Sequence, residues 1–340
     1  MAKIDRSKVK GAASLLEKHK PELAKAAKSL REDYRLEWPG MGLFLSPLEA
    51  LYNQTAEYDA ENLEAGVDAV AAIIKGLNKT VANYDNAEDI NATNLQGKPS
   101  GKTETGYLHG LGNAGFFNTN SPTGNATGWE TAGTIIDYSA MAVAEMTALL
   151  CTVLSPPFIP ALLAASGLLC NVPSMFSTAN DLSDIQAQID HFTDQFDAAT
   201  KLATDDWDDD SVTAFTDVTT KVKSELGDIS ASLAGLGSYL QTVGGALLAF
   251  WLAFIPFIVP FLATLTAEQA APPEGQAAAQ AEGAAAGITW STVAETVIMG
   301  LAGIAVAYIS LNGSLDTRDD IGGQGGDDTP DLKQIKIEWH

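Results

Sequence analysis

The sequence predicts an all-α protein, an elongated helical bundle built from antiparallel hairpins and carrying apolar helical segments competent to enter a membrane. Three observations carry this. Apolar residues recur in steps of three and four over long stretches, which is the period of one helix face. Long runs without a charged residue interrupt these stretches, two of them with prolines at mid-run. The hydrophobic share, 46% of 340 residues, suffices for a sizeable core and excludes disorder throughout.

The first region, 1–95, reads as a helical hairpin. Val9, Ala12, Leu16, His19, Leu23, Ala26 and Leu30 fall on one stripe, with Pro21 predicting a kink or a fresh helix start. WPGMG ends it. Ser46 is a natural N-cap, followed by Pro47 and by Glu49 at the third position. The second helix carries a regular seam of Leu63, Val67, Val70, Ile74, Leu77, Val81 and Tyr84, and the short turn predicts that the two helices lie antiparallel.

Residues 96–131 are rich in Gly, Asn, Thr and Ser and read as a linker or irregular loop. Region 132–180 reads as a first apolar hairpin, uncharged from Met146 to Asn180 and turning at SPPFIP. Region 181–240 reads as an amphipathic stalk: Leu182, Ile185, Ile189, Phe192 and Phe196 form one stripe, and Phe215, Val218, Val222, Leu226, Ile229, Leu233, Leu236 and Leu240 a second. Region 241–312 holds a second apolar hairpin bent at Pro256 and Pro260, an Ala/Gly/Gln linker and a third apolar helix. The tail, 313–340, is acidic and glycine-rich, and its final alternation of Leu332, Ile335, Ile337 and Trp339 suits either a short docked strand or disorder.

A spanning helix needs about 20 apolar residues, which the stretches near 146–176, 240–266 and 290–312 meet or approach. The prolines shorten the arms of the first two, so a large bundle that hides these faces internally is the competing expectation. Phe158, Trp251, Phe254, Phe257 and Phe261 are aromatics of the interfacial type, expected at headgroup level and therefore as membrane-insertion residues. Glu145, Glu268 and Glu295 bound the runs and do not interrupt them.

The net charge of −23, from 43 acids against 20 bases, argues against nucleic-acid binding and is equally what adaptation to high salt produces. Cys151 and Cys170 make no disulfide framework; buried free thiols are expected, although a hairpin turning near Pro160 could bring them together. No enzyme is expected. His19, His109, His191 and His340 are dispersed without metal-ligand spacing, GYLHGLGNAG lacks a P-loop lysine, and no GxSxG elbow occurs. Asp205, Asp206, Asp208, Asp209 and Asp210 lack the EF-hand glycine and terminal glutamate, and read as a solvated turn. No cofactor and no metal site is expected.

The N-terminus has the charges of a signal-peptide n-region, but no apolar h-region follows, so classical export is not indicated. The WxG of Trp38, Pro39 and Gly40 in the turn, with the YxxxE of Tyr84 to Glu88 near the end of the second helix, resembles substrates of the type VII (ESX) secretion system. The resemblance covers about the first ninety residues. It implies that Tyr84 and Glu88 belong to an export signal, that Trp38 and Gly40 support the turn, and that a type VII machinery or chaperone is a partner. Pro39 and Pro21 depart from the pattern, and the alternative is that Trp38 and Tyr84 are hairpin core residues. Two function classes follow: a protein secreted or held at the cell envelope that forms homo-oligomers and inserts into membrane lipid as a pore or channel component, or a soluble structural or partner-binding secretion substrate whose apolar hairpins are buried internally or against another chain.

Overall fold

Asp5 opens the first helix. Its Oδ1 accepts from the N–H groups of Ser7 and Lys8 at 2.9 and 3.3 Å, satisfying donors that the first turn leaves orphaned, and α1 (Arg6–Asp33) follows. The computed structural model describes residues 4–36, 40–94, 138–208 and 210–314, and over these the chain is all-α, with no strand. The new helix expected at Pro21 is not formed, because α1 runs through that residue. Pro21 removes one backbone donor, but His19 and Leu23 on either side are buried, and their packing holds both halves in one helix.

A 3₁₀ turn, Leu43–Leu45, leads into α2 (Ser46–Asn94). Ser46 already has helical backbone angles, and Glu49 accepts from the N–H of Met41 at 2.9 Å, so the glutamate braces the preceding turn. The two helices are antiparallel: Arg6 pairs with Asp85 at 2.8 Å, Arg31 with Glu64 at 2.9 Å, and the Tyr52 hydroxyl donates to the carbonyl of Tyr34 at 2.6 Å. Leu63, Val70, Ile74, Leu77 and Val81 of the expected seam are buried.

Two further long helices complete a ring with this hairpin. Asn171 caps α5 (Val172–Thr204) by accepting from the N–H of Ser174 at 3.1 Å, with Pro173 in the first turn where no donor is needed. Helix α6 (Asp210–Gln269) lies antiparallel to it, joined by Lys223 to Asp197 at 2.6 Å and Ser230 to Asp190 at 2.5 Å. Both stalk stripes are buried apart from Val218, which is partly so. Helix α1 packs against α5, with Lys8 bonded to Asp205 and Asp206. Helix α2 packs against α6, where Ser232 donates to Asp59 at 2.7 Å with both side chains fully buried. Each neighbour in the cycle α1, α2, α6, α5 therefore runs opposite to the next.

The remaining elements are α3 (Tyr138–Leu154), a 3₁₀ turn at Pro156–Phe158, α4 (Ile159–Gly167) and α7 (Pro273–Ser314). Of these, α3 and α7 pack on the C-terminal half of α6, and the short elements between α3 and α5 pack mainly on α7. Two expectations are corrected here. The second apolar hairpin does not turn at Pro256 and Pro260, which both lie inside α6; the chain reverses after Gln269 instead. The Ala/Gly/Gln segment is no linker, because α7 begins at Pro273 and includes it. Its small residues are a docking surface: an added Cβ on Gly283 would lie 1.9 Å from Ser155 Oγ, and one on Gly287 would lie 2.6 Å from the carbonyl oxygen of Pro157. The SPP turn seats there, and alanine and glycine permit the approach. The expected loop at 96–131 and most of the tail, 313–340, lie outside the described residues.

Candidate functional site

Helix α3 shows how the apolar region is arranged. Met141, Ala144, Ala148 and Cys151, in steps of three, four and three, are buried against the rest of the protein. Val143, Met146, Leu150 and Val153 repeat the same steps on the other side and are 52–72% exposed. The inward stripe is mostly small and the outward stripe large. Helix α7 repeats the pattern, with Ala279, Ala294 and Leu301 buried while Ile288, Met299 and Val306 are 66–72% exposed. Leu252 and Val259 on α6, with Ile159 and Leu163 on α4, extend the outer surface. Apart from Leu43 and Phe44, the large hydrophobic side chains exposed among the described residues belong to these four helices.

Hydropathy and burial are uncoupled here. The most apolar window, within Ser211–Gln269, has mean hydropathy 2.4 but is only 39% buried, and that within Pro273–Ile304 has 1.3 and is 17% buried. By length and composition three helical stretches, these two and Pro156–Thr204, are long and apolar enough to cross a membrane. The third is interrupted between Gly167 and Val172, so α6 and α7 are the uninterrupted ones.

The aromatics expected at the lipid headgroups point elsewhere. Phe158, Trp251 and Phe254 are fully buried, Phe261 is 9% exposed and Phe257 is packed against the core. Phe254 and Phe257 flank Trp290 of α7, whose ring centroid lies 5.0 Å from that of Phe254 and 5.2 Å from that of Phe257, while Phe158 and Phe261 meet at 5.1 Å. Trp251 Nε1 donates to the carbonyl of Leu168 at 3.0 Å, so its polar edge is satisfied inside the protein. The segment ahead of Trp290 is helical, and α7 packs over Phe254 and Phe257 of α6.

Side chains also close the helix ends in this region. Leu154, at the end of α3, presents a carbonyl that accepts from Gln269 Nε2 at 2.7 Å and Gln280 Nε2 at 3.1 Å, and Ser155 Oγ donates to the carbonyl of Ala279 at 3.0 Å. Cys151 and Cys170 are both buried and free, as the preferred expectation had them.

Of the export-signal residues, Gly40 sits in the α1–α2 turn with φ +60°, where an added Cβ would lie 2.2 Å from a Glu49 carboxylate oxygen; its carbonyl accepts from the N–H of Asn171 at 2.9 Å. Tyr84 is half-buried on α2. Trp38 lies outside the described residues, and so does the side chain of Glu88, whose backbone continues α2.

Fold and surface together define an all-α protein with membrane-competent helices whose apolar residues face outward as well as inward. Comparison with protein-family models, with curated proteins and with solved structures finds no match.

Proposed function

We propose that the chain is a non-enzymatic, membrane-associating protein that inserts the apolar surface of α3, α4, α7 and the C-terminal half of α6 into lipid, with the ring of α1, α2, α5 and the N-terminal half of α6 outside the bilayer. The observation that carries this is the inverted stripe: small residues inward and large apolar residues outward suit a helix surrounded by hydrocarbon, where close backbone packing replaces the hydrophobic drive. In water the same surface would be an exposed apolar patch requiring a partner. A homo-oligomer that shares this surface within the membrane, as a pore or envelope channel component, fits the same arrangement. Delivery by a type VII-like secretion machinery rests on the WxG and YxxxE motifs and on the antiparallel α1–α2 hairpin that carries them.

Flotation of the purified chain on liposomes tests the membrane reading. The protein should rise with the vesicles, and Val259→Asp together with Met299→Asp, both at outward positions, should leave it at the bottom of the gradient while helicity is retained. Failure of the unaltered chain to float in any assembly state would favour the partner-binding reading, which buries the surface against protein. For delivery, the Tyr84→Ala, Glu88→Ala double variant should accumulate inside producing cells, and normal release of a folded double variant would remove the type VII proposal.

A further inference from the structure

We infer that His19, Glu22 and His191 form a binding site for a first-row transition ion of the Zn²⁺ type that joins α1 to α5. The two histidines are 172 positions apart in sequence, yet the antiparallel packing of α1 on α5 sets their rings 5.8 Å apart, edge to face. Glu22 lies one helical turn after His19 and offers a different carboxylate oxygen to each imidazole: Oε1 is 3.2 Å from Nδ1 of His19, and Oε2 is 3.1 Å from Nδ1 of His191. Ligand atoms of the three residues all lie within 4.8 Å of one another.

Two features point to a ligand beyond a simple ion pair. First, His19 is 6% exposed, and its Nδ1 is a buried polar atom that makes no hydrogen bond, because its approach to Glu22 has the distance but not the geometry of one. A buried ring nitrogen in that state calls for a partner, and it faces the other two donors. Second, each imidazole Nδ1 lies 3.1–3.2 Å from a Glu22 oxygen, near the edge of about 3.3 Å between ligands at about 2.05 Å around a tetrahedral ion, and the whole set stays within 4.8 Å. The donor set of two neutral imidazoles and a carboxylate selects Zn²⁺ and its neighbours over Mg²⁺ or Ca²⁺, which prefer all-oxygen shells. Lys20, next to His19 in sequence, is engaged elsewhere, since it pairs with Glu17 at 3.1 Å. With Glu22 and His191 half-exposed, water completes the coordination sphere.

The test uses the full, tag-free chain with Zn²⁺ alone as probe, in excess Mg²⁺ to saturate the acidic surface. Calorimetry should show one Zn²⁺ per chain, with a rise in Tm of roughly 5 °C at a hundredfold excess over Kd. His191→Ala should keep the Tm of the metal-free protein and weaken binding at least about tenfold, Glu22→Gln should weaken it similarly, and His191→Cys, which retains a ligand, should restore it. Absence of saturable binding at micromolar Zn²⁺, or binding unchanged in His191→Ala, would overturn the inference.

Discussion

In the ring of α1, α2, α5 and α6 the apolar stripe of each helix is covered by its neighbours, and the outward residues are charged and paired across helices, as Arg31 is with Glu64 and Lys223 with Asp197. Around the C-terminal half of α6 the helices keep an equally tight interior of aromatics and small residues, but their outward positions are Val, Met, Leu and Ile. The two regions share packing rules and differ in the solvent they present themselves to. An apolar stripe therefore says that a helix packs, whereas the composition of the opposite stripe says what surrounds the assembly.

The largest effect should come from placing charge inside the ring. Leu226→Asp with Leu233→Asp introduces carboxylates at two fully buried sites, costing on the order of 3 to 5 kcal/mol each, and circular dichroism should show loss of the cooperative thermal transition. Retention of that transition would mean that the ring does not hold its interior as described.

Adjacent positions on α6 sharpen the comparison. Ile258 is fully buried and Val259 is 57% exposed, so one substitution can be applied to either face. Ile258→Asp should destabilise the fold by several kcal/mol, about as in the ring. Val259→Asp should change stability in detergent-free solution by no more than about 0.5 kcal/mol, while costing about 2.5 to 3.5 kcal/mol of insertion if the residue sits at mid-bilayer. Equal behaviour of the two variants in melting and flotation would erase the distinction between inner and outer stripes.

Gly287→Ala probes the docking of the SPP turn on α7. The added methyl meets backbone, not a flexible side chain, so the turn must shift, with an expected cost of about 1 to 3 kcal/mol from overpacking. Chemical denaturation should register it; an unchanged midpoint would mean the seat has room.

The smallest effect belongs to the outer shell of the ring. Hydrogen bonds from Lys201 and then Lys223 hold the Asp197 carboxyl below its usual range. Its contribution is fully present above the unfolded-state carboxylate pKa of about 3.9 and is lost as pH falls through the lower folded value. Asp197→Asn should remove that acid-side dependence and cost less than about 1 kcal/mol at neutral pH, measurable as a difference in melting between pH 7 and pH 3.

The sequence alone settled the helical class, the α1–α2 pairing and the stalk stripes, because heptad spacing is a local property: a residue three or four positions on shares its face whatever the partner. Leu63 to Val81 and Leu226 to Leu240 are legible for that reason. Tertiary structure alone decided where a uniformly apolar helix faces. A stretch such as GGALLAFWLAFIPFIVPF has no polar side to orient it, so only the packing of neighbouring helices, Trp290 among their contacts, turned Phe254 and Phe257 inward and left Val259 outside. The spacing of Gly283 and Gly287 was a readable sign of close helix contact, hidden by the low complexity around it. Pro21, Pro256 and Pro260 read locally as breaks, yet packing on both sides kept the helices continuous. His19 and His191 met because two helices lie antiparallel in register, a geometry that no spacing along the chain encodes.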